Sequence, residues 1–303
     1  MANLYEIPTL PDEIKDAALD NRLVLFVGAG ASRLLDCPSW EGMADSALNA
    51  LATDEIISFG DIARLSGLDA KKKLSIAVQI ADESNFKIDY AGLLKCNESK
   101  SPIYQHLNSI GCPYVTTNYD LLAKPFLLSD DDTTAPSVNR YFNPNDFLAG
   151  RLLQAGTVVH IHGCLQATES MIMTTSQYLT HYENRFVQEF LGELFEKHTV
   201  LFVGYGLEEA EILEHILRRG KVSSQSVRQR FLLQGYYSDQ ENLFKWMQKY
   251  YQDSFGVHLQ GFLLDRRNYS QLEHVAQDWA SQITVGDPSI VDDAAFIKGV
   301  IDE

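Results

Sequence analysis

Leu23-Val24-Leu25-Phe26-Val27 runs directly into Gly28-Ala29-Gly30-Ala31-Ser32. Five apolar residues in succession, without polar alternation, are the pattern of a strand covered on both faces, as parallel sheets require. The glycines then permit a tight turn and a close backbone approach, and the helix that follows offers unpaired N–H groups to a phosphate. A dinucleotide fingerprint Gly-x-Gly-x-x-Gly would place glycine at position 33, where Arg33 stands. Taken alone, the loop fits either a phosphate site or a purely structural turn.

Working outward, Trp40, Met43, Ala44, Ala47, Leu48 and Leu51 recur at helical spacing. From about 53 to 110 the pattern stays helical and less apolar, which predicts a helical insertion beside the sheet. Strands are predicted at Tyr114–Thr117, Thr157–Ile161, Thr199–Val203, Arg230–Leu233 and His258–Phe262, with helical stretches between, notably 177–197 and 208–219. Strands alternating with helices predict an α/β fold with a Rossmann-like, doubly wound and mostly parallel sheet. The acidic run Ser129-Asp130-Asp131-Asp132-Thr133-Thr134 reads as a surface loop. No internal repeat or linker interrupts the chain, so residues 1–303 read as one catalytic-type domain, with a C-terminal extension from about 265. A short polar turn and a helix are predicted from Asp287 onward.

Composition narrows the function. Lys+Arg number 25 against 41 Asp+Glu, a net charge of −16, and that field repels nucleic-acid backbones and anionic lipid. The local cluster Arg218, Arg219, Lys221, Arg228 and Arg230 reads as a solvated helix end and loop. No apolar run approaches the ~20 residues of a membrane span, and the acidic N-terminal stretch lacks the order of a secretory signal. Cys37, Cys96, Cys112 and Cys164 show no paired spacing for zinc. They are expected as reduced thiols in a cytoplasmic protein.

Ligands of open α/β sheets sit beyond the carboxyl ends of the strands, and four strand ends here carry glycine or polar groups. Besides 28–32, these are Thr116-Thr117-Asn118-Tyr119-Asp120, His160-Ile161-His162-Gly163 and Gly204-Tyr205-Gly206-Leu207. Each has a plain reading. Asp120 would serve as the cap of a helix beginning near Leu121, a histidine after a strand is commonly a hydrogen-bonded structural residue, and Tyr205 would serve packing as well as a nucleotide. His160 reads as structural. Glu208, Glu209 and Glu211 read as an acidic first helical turn or as groups near an adenine ribose.

In order and spacing, the four segments together resemble the sirtuin family, in particular its zinc-free bacterial branch of NAD-hydrolysing antiphage defence effectors. Gly28-Ala29-Gly30-Ala31-Ser32 is similar to that family's opening phosphate loop. Thr117-Asn118-Tyr119-Asp120 resembles its Gln-Asn-Ile-Asp segment, His162-Gly163 its catalytic histidine-glycine, and Gly204-Tyr205-Gly206-Leu207 its Gly-Thr-Ser-Leu loop. Pro38-Ser39-Trp40 stands where the zinc-free branch has the same tripeptide. The resemblance covers about residues 20–235. Two departures accompany it. The two Cys-x-x-Cys pairs of the deacylases are absent, with only Cys164 in that region, and Asp36-Cys37-Pro38-Ser39-Trp40 replaces the Gly-Ile-Pro-Asp-Phe-Arg loop.

The resemblance implies an NAD+ hydrolase that needs no metal, with NAD+ as its substrate. Asn118 and His162 would be catalytic, Asn118 orienting water and the nicotinamide ribose and His162 acting as general base. Gly28, Ala29, Gly30, Ser32, Thr117, Asp120, Gly204, Tyr205 and Gly206 would bind the dinucleotide, Asp120 through the nicotinamide carboxamide. An NAD-dependent protein deacylase and a non-catalytic NAD+ or ADP-ribose sensor are the alternatives. Because an unrestrained NAD+ hydrolase would kill its own cell, a homo-oligomer or a separate sensor or activator protein is expected to control it.

Overall fold

A computed structural model describes residues 4–125, 138–206 and 229–286. The acidic run at 129–134, the segment 207–228 with its predicted helix and acidic turn, four residues of the basic cluster, and the tail from Asp287 lie outside the described residues.

Seven strands form one sheet: β1 Leu23–Val27, β2 Tyr114–Thr116, β3 Asn139–Tyr141, β4 Thr157–His160, β5 Thr199–Val203, β6 Arg230–Tyr236 and β7 Val257–Leu263. Their order is β3-β4-β2-β1-β5-β6-β7, and every pairing is parallel. The helices are α1 Asp12–Leu19, α2 Ala29–Arg33, α3 Trp40–Thr53, α4 Phe59–Leu65, α5 Ala70–Glu83, α6 Tyr90–Leu93, α7 Ile103–Ser109, α8 Thr175–Glu183, α9 Arg185–Lys197, α10 Glu241–Phe255 and α11 Gln271–Gln282. The Rossmann-like α/β reading is thereby met.

The unbroken apolar run of β1 has the expected cause. Leu23, Leu25 and Val27 pack on one face with residues of α1, α7 and α11, whereas Val24 and Phe26 pack on the other with α9 and α10. A strand covered on both sides has no position for a polar residue. A third core joins Met43, Ala47 and Leu51 of α3 to Leu74 and Ala77 of α5. Lys73 is buried between them, bonded to Glu41 and, at 3.0 Å, to Asp45. Those two carboxylates raise its pKa, the bond to Glu41 most.

α7, at the end of the predicted helical insertion, packs on the sheet, and α11, within the predicted C-terminal extension, carries Trp279 of the core. Other expectations are corrected. β3 escapes the sequence reading because Asn139-Arg140-Tyr141 is polar and half-exposed at the sheet edge. Residues 121–125 form no helix; the Asp120 carboxylate instead accepts from the Leu122 amide at 3.1 Å. Arg230 is not solvated. It is buried, donating to the Phe195 carbonyl at 3.0 Å. Finally, Cys37 and Cys96 are joined in a disulfide, while Cys112 and Cys164 are free and buried. The Asn97 amide donates to the Leu35 carbonyl at 2.7 Å, so the two cysteines meet through a tertiary contact that their spacing does not reveal.

Candidate active site

The four polar strand ends belong to four adjacent strands, β4-β2-β1-β5. Register places them level: Val27 lies beside both Thr116 and Val203, and Thr116 beside His160. Gly28, Thr117, Ile161 and Gly204 therefore emerge side by side. A cavity of about 1210 Å³ opens there, lined by Ala29, Gly30, Ser32, Thr117, Asn118, Asp120, Gly204, Tyr205 and Gly206. It exceeds the ~300–1,000 Å³ typical of small-molecule sites. Nine of the eleven residues predicted for the site share this cavity; Gly28 and His162 do not line it.

The glycine loop is shaped by close approach. Gly204 has φ +62°, a left-handed conformation suited to glycine. A Cβ at Gly28 would lie 2.7 Å from the Gly204 carbonyl oxygen. The amides of Gly28, Gly30 and Ala31 donate to the carbonyls of Val203 (3.0 Å), Gly204 (2.8 Å) and Gly28 (3.2 Å). Three N–H groups that the sequence offers to a pyrophosphate are thus engaged within the fold. Two cations line the cavity instead, Arg33 and Lys71, together with Tyr269 from beyond β7. Burial pushes the Tyr269 hydroxyl up to about 12.

Ser32 organises the floor. Its Oγ lies 2.7 Å from Asp120 Oδ2, 3.0 Å from Asn118 Nδ2 and 2.8 Å from the Tyr104 hydroxyl. A hydroxyl has one hydrogen and two lone pairs. The carboxylate only accepts and the amide nitrogen only donates, so Ser32 donates to Asp120 and accepts from Asn118. Its remaining lone pair must then accept from Tyr104. Asn118 Nδ2 also approaches the Tyr104 oxygen at 3.3 Å. The amide is thereby held with its nitrogen inward, and Oδ1 is left as the acceptor outside this network. Burial raises the pKa of Asp120, opposed by the bonds from Ser32 and Leu122 and by the Arg140 charge.

Two further contacts fix this turn. Thr116 Oγ1 donates to the Val27 carbonyl at 2.7 Å and accepts from the Asn118 amide at 3.0 Å. His160 Nδ1 donates to the Asn118 carbonyl at 3.0 Å. His160 is fully buried, and burial lowers its pKa to about 4. Its Nδ1 bond ties the end of β4 to the Asn118 turn.

His162 is also fully buried. Its Nε2 lies 2.7 Å from the Tyr182 hydroxyl and its Nδ1 3.2 Å from the Tyr178 hydroxyl. Burial holds its pKa well below the usual histidine range, with His181 and Lys71 adding to the effect. Both tyrosines stand on α8, four residues apart on one face. The helix begins at a capping box of Thr174 and Gln177, a legible signal, yet nothing in its spacing announces a histidine partner. Among the described residues, no group of three or more His, Cys, Asp and Glu is arranged to hold a metal ion, and no helix is long and apolar enough to cross a membrane.

Residues 113–255, which carry β2 with the Asn118 turn, the His162 turn and β5, match the SIR2-like domain family. The chain is similar to two sirtuin-related proteins. It is 23% identical over 207 residues to defense-associated sirtuin 2 of Bacillus subtilis, covering 66% of this chain and 19% of that protein. To the NAD(+) hydrolase ThsA of Cytobacillus dafuensis it is 27% identical over 217 residues, covering 69% of this chain and 40% of the relative. The chain thus spans less than half the length of either relative.

Proposed function

We propose that this chain hydrolyses NAD+ to nicotinamide and ADP-ribose, as an antiphage effector that depletes the dinucleotide when activated. The observation that carries the reading is the Asn118–Ser32–Asp120 network, opening into a cavity large enough for a dinucleotide at the carboxyl ends of four adjacent strands. The names of the two relatives, one a defence sirtuin and the other an NAD(+) hydrolase, favour the same reading.

Cleavage breaks the bond between ribose C1′ and the nicotinamide nitrogen, whose electron pair goes to the ring, so the base leaves neutral. Water adds to C1′ and its proton passes to a base. The transition state resembles an oxocarbenium ion, and the protein's task is to hold the ribose, place one water and exclude other nucleophiles. In this reading Asn118 Oδ1 accepts from the water or a ribose hydroxyl, and Asp120 accepts from the carboxamide. Arg33 and Lys71 face the diphosphate, and His162 takes the proton. A general base contributes about 10²–10⁴ in rate.

The test is nicotinamide release by the purified protein beside Asn118→Ala and His162→Ala. Release that disappears in both variants supports the assignment, and full release in either one removes that residue from it. Release that occurs only with an acyl-lysine peptide, and in step with its deacylation, would favour the deacylase. NAD+ bound without turnover even with a native activator would favour the sensor. Effectors of this kind need restraint, and a homo-oligomer or separate activator protein in the cytoplasm belongs to this proposal.

A further inference from the structure

Tyr178 lies on two surfaces at once. It lines the cavity, and its hydroxyl lies 3.2 Å from Nδ1 of His162, which the cavity does not reach. The two rings meet edge-on at 4.8 Å. Trp40 approaches Tyr178 at 6.2 Å, and the Lys71 ammonium sits 3.8 Å above its ring. The wall between cavity and imidazole is thus assembled from α3, α5 and α8.

A neutral imidazole has one N–H and one lone pair. With a tyrosine hydroxyl on each nitrogen, one tyrosine accepts and the other donates, so the lone pair is already engaged. A base in that state can take no proton from water until one tyrosine withdraws. Tyr182 does not line the cavity and Tyr178 does, so Tyr178 is the residue whose departure both frees a nitrogen and opens the route. The sealed arrangement also carries a cost of its own. His181, on the same face of α8, is buried with Nε2 lacking a hydrogen-bond partner among the described residues.

We propose that Tyr178 is a positioning residue that seals His162 away from the cavity, and that turnover occurs only from a conformation in which Tyr178 has left Nδ1. The shielding stands on geometry alone; the turnover arm rests on the NAD+ hydrolase reading.

Two readouts separate them. The first is carbethoxylation of individual histidines by diethylpyrocarbonate, followed by mass spectrometry, with the half-buried His106 and His274 as internal references. In the wild type His162 is expected to react at least about tenfold more slowly than the references, as a group reached only by local opening does. Tyr178→Ala should bring it to the reference rate, and Tyr178→Phe, which keeps the ring, should leave it shielded. The second readout is nicotinamide release. If the open conformer is a minor state of about 10% or less, Tyr178→Ala should raise basal release about tenfold or more.

The proposal is overturned if wild-type His162 reacts as fast as His106, a result that does not depend on any variant folding. It is also overturned if a folded Tyr178→Ala protein keeps His162 shielded, or exposes it while an active wild type releases nicotinamide no more slowly. Exposure of His162 with no NAD+ consumed by either protein, even with a native activator, would uphold the seal and overturn the hydrolase reading together with the turnover arm.

Discussion

The two halves of the candidate site are built from the same kind of segment, a polar turn after a buried strand, yet they differ in access. On the β1–β2 side, Ser32, Asn118 and Asp120 line the cavity with their hydrogen bonds ordered. On the β4 side, His162 lies behind Tyr178, with a tyrosine hydroxyl on each ring nitrogen. The difference comes from the covering elements. Beyond β1 and β2 the chain folds back as the glycine loop and leaves a hollow. Beyond β4 the α8 helix lays Tyr178, His181 and Tyr182 directly over the strand end. On the proposed reading, this conformation would present the binding half and withhold the reacting half, as an enzyme held silent until triggered requires.

Substitutions can break or sharpen that contrast. Within the open half, the largest effect is expected for Asn118→Ala, which removes its ordered amide. NAD+ turnover should fall by about 10²–10³, the range for losing one preorganised hydrogen-bonding group, as measured by nicotinamide release. Gly163→Ala addresses the sealed half. Gly163 has φ +79°, and a Cβ there would press on the Ser170 backbone. A loss of about 1–3 kcal/mol in unfolding free energy is expected from that strain, read by urea denaturation.

Acid should act mainly through the β4 side. Burial lowers His160 and His181 to about 4 and holds His162 lower than usual. The folded state then binds fewer protons than the unfolded chain below pH ~6.5, so stability falls as pH drops from there toward 4. His160 alone should cost on the order of 2 kcal/mol at pH 5. Asp120, its carboxyl raised by burial, works in the opposite direction. Thermal melts of the wild type beside a His160→Asn variant, at pH 7 and pH 5, measure the difference; an equal loss in both would remove His160 as its source. The smallest effect is expected for Tyr104→Phe, which leaves Ser32 one donor short. About 1 kcal/mol for a single hydrogen bond corresponds to a loss of roughly fivefold. It should appear in kcat rather than KM, and a purely structural role would not divide the two in that way.

The frame of the molecule is legible in the sequence where burial is complete. β1, β2, β4 and β5 show as apolar runs because both faces are covered, and the polar groups after them show because they interrupt those runs. What the sequence conceals is set by tertiary contact. Edge strand β3 has no apolar signature, Tyr104 reaches Ser32 across 72 residues, and Cys37 meets Cys96 across 59. The readiness of His162 could not be read either. A histidine after a strand and before a glycine appears poised toward a cleft, and only the packing of α8 shows it covered.

The most direct measurement is NAD+ binding by calorimetry, alongside turnover, for the wild type, Asn118→Ala and His162→Ala. The account expects His162→Ala to bind NAD+ about as tightly as the wild type without cleaving it, and Asn118→Ala to lose affinity as well as turnover. Equal loss of binding in both variants, or turnover surviving in His162→Ala, would contradict a site divided into an open binding half and a sealed reacting half.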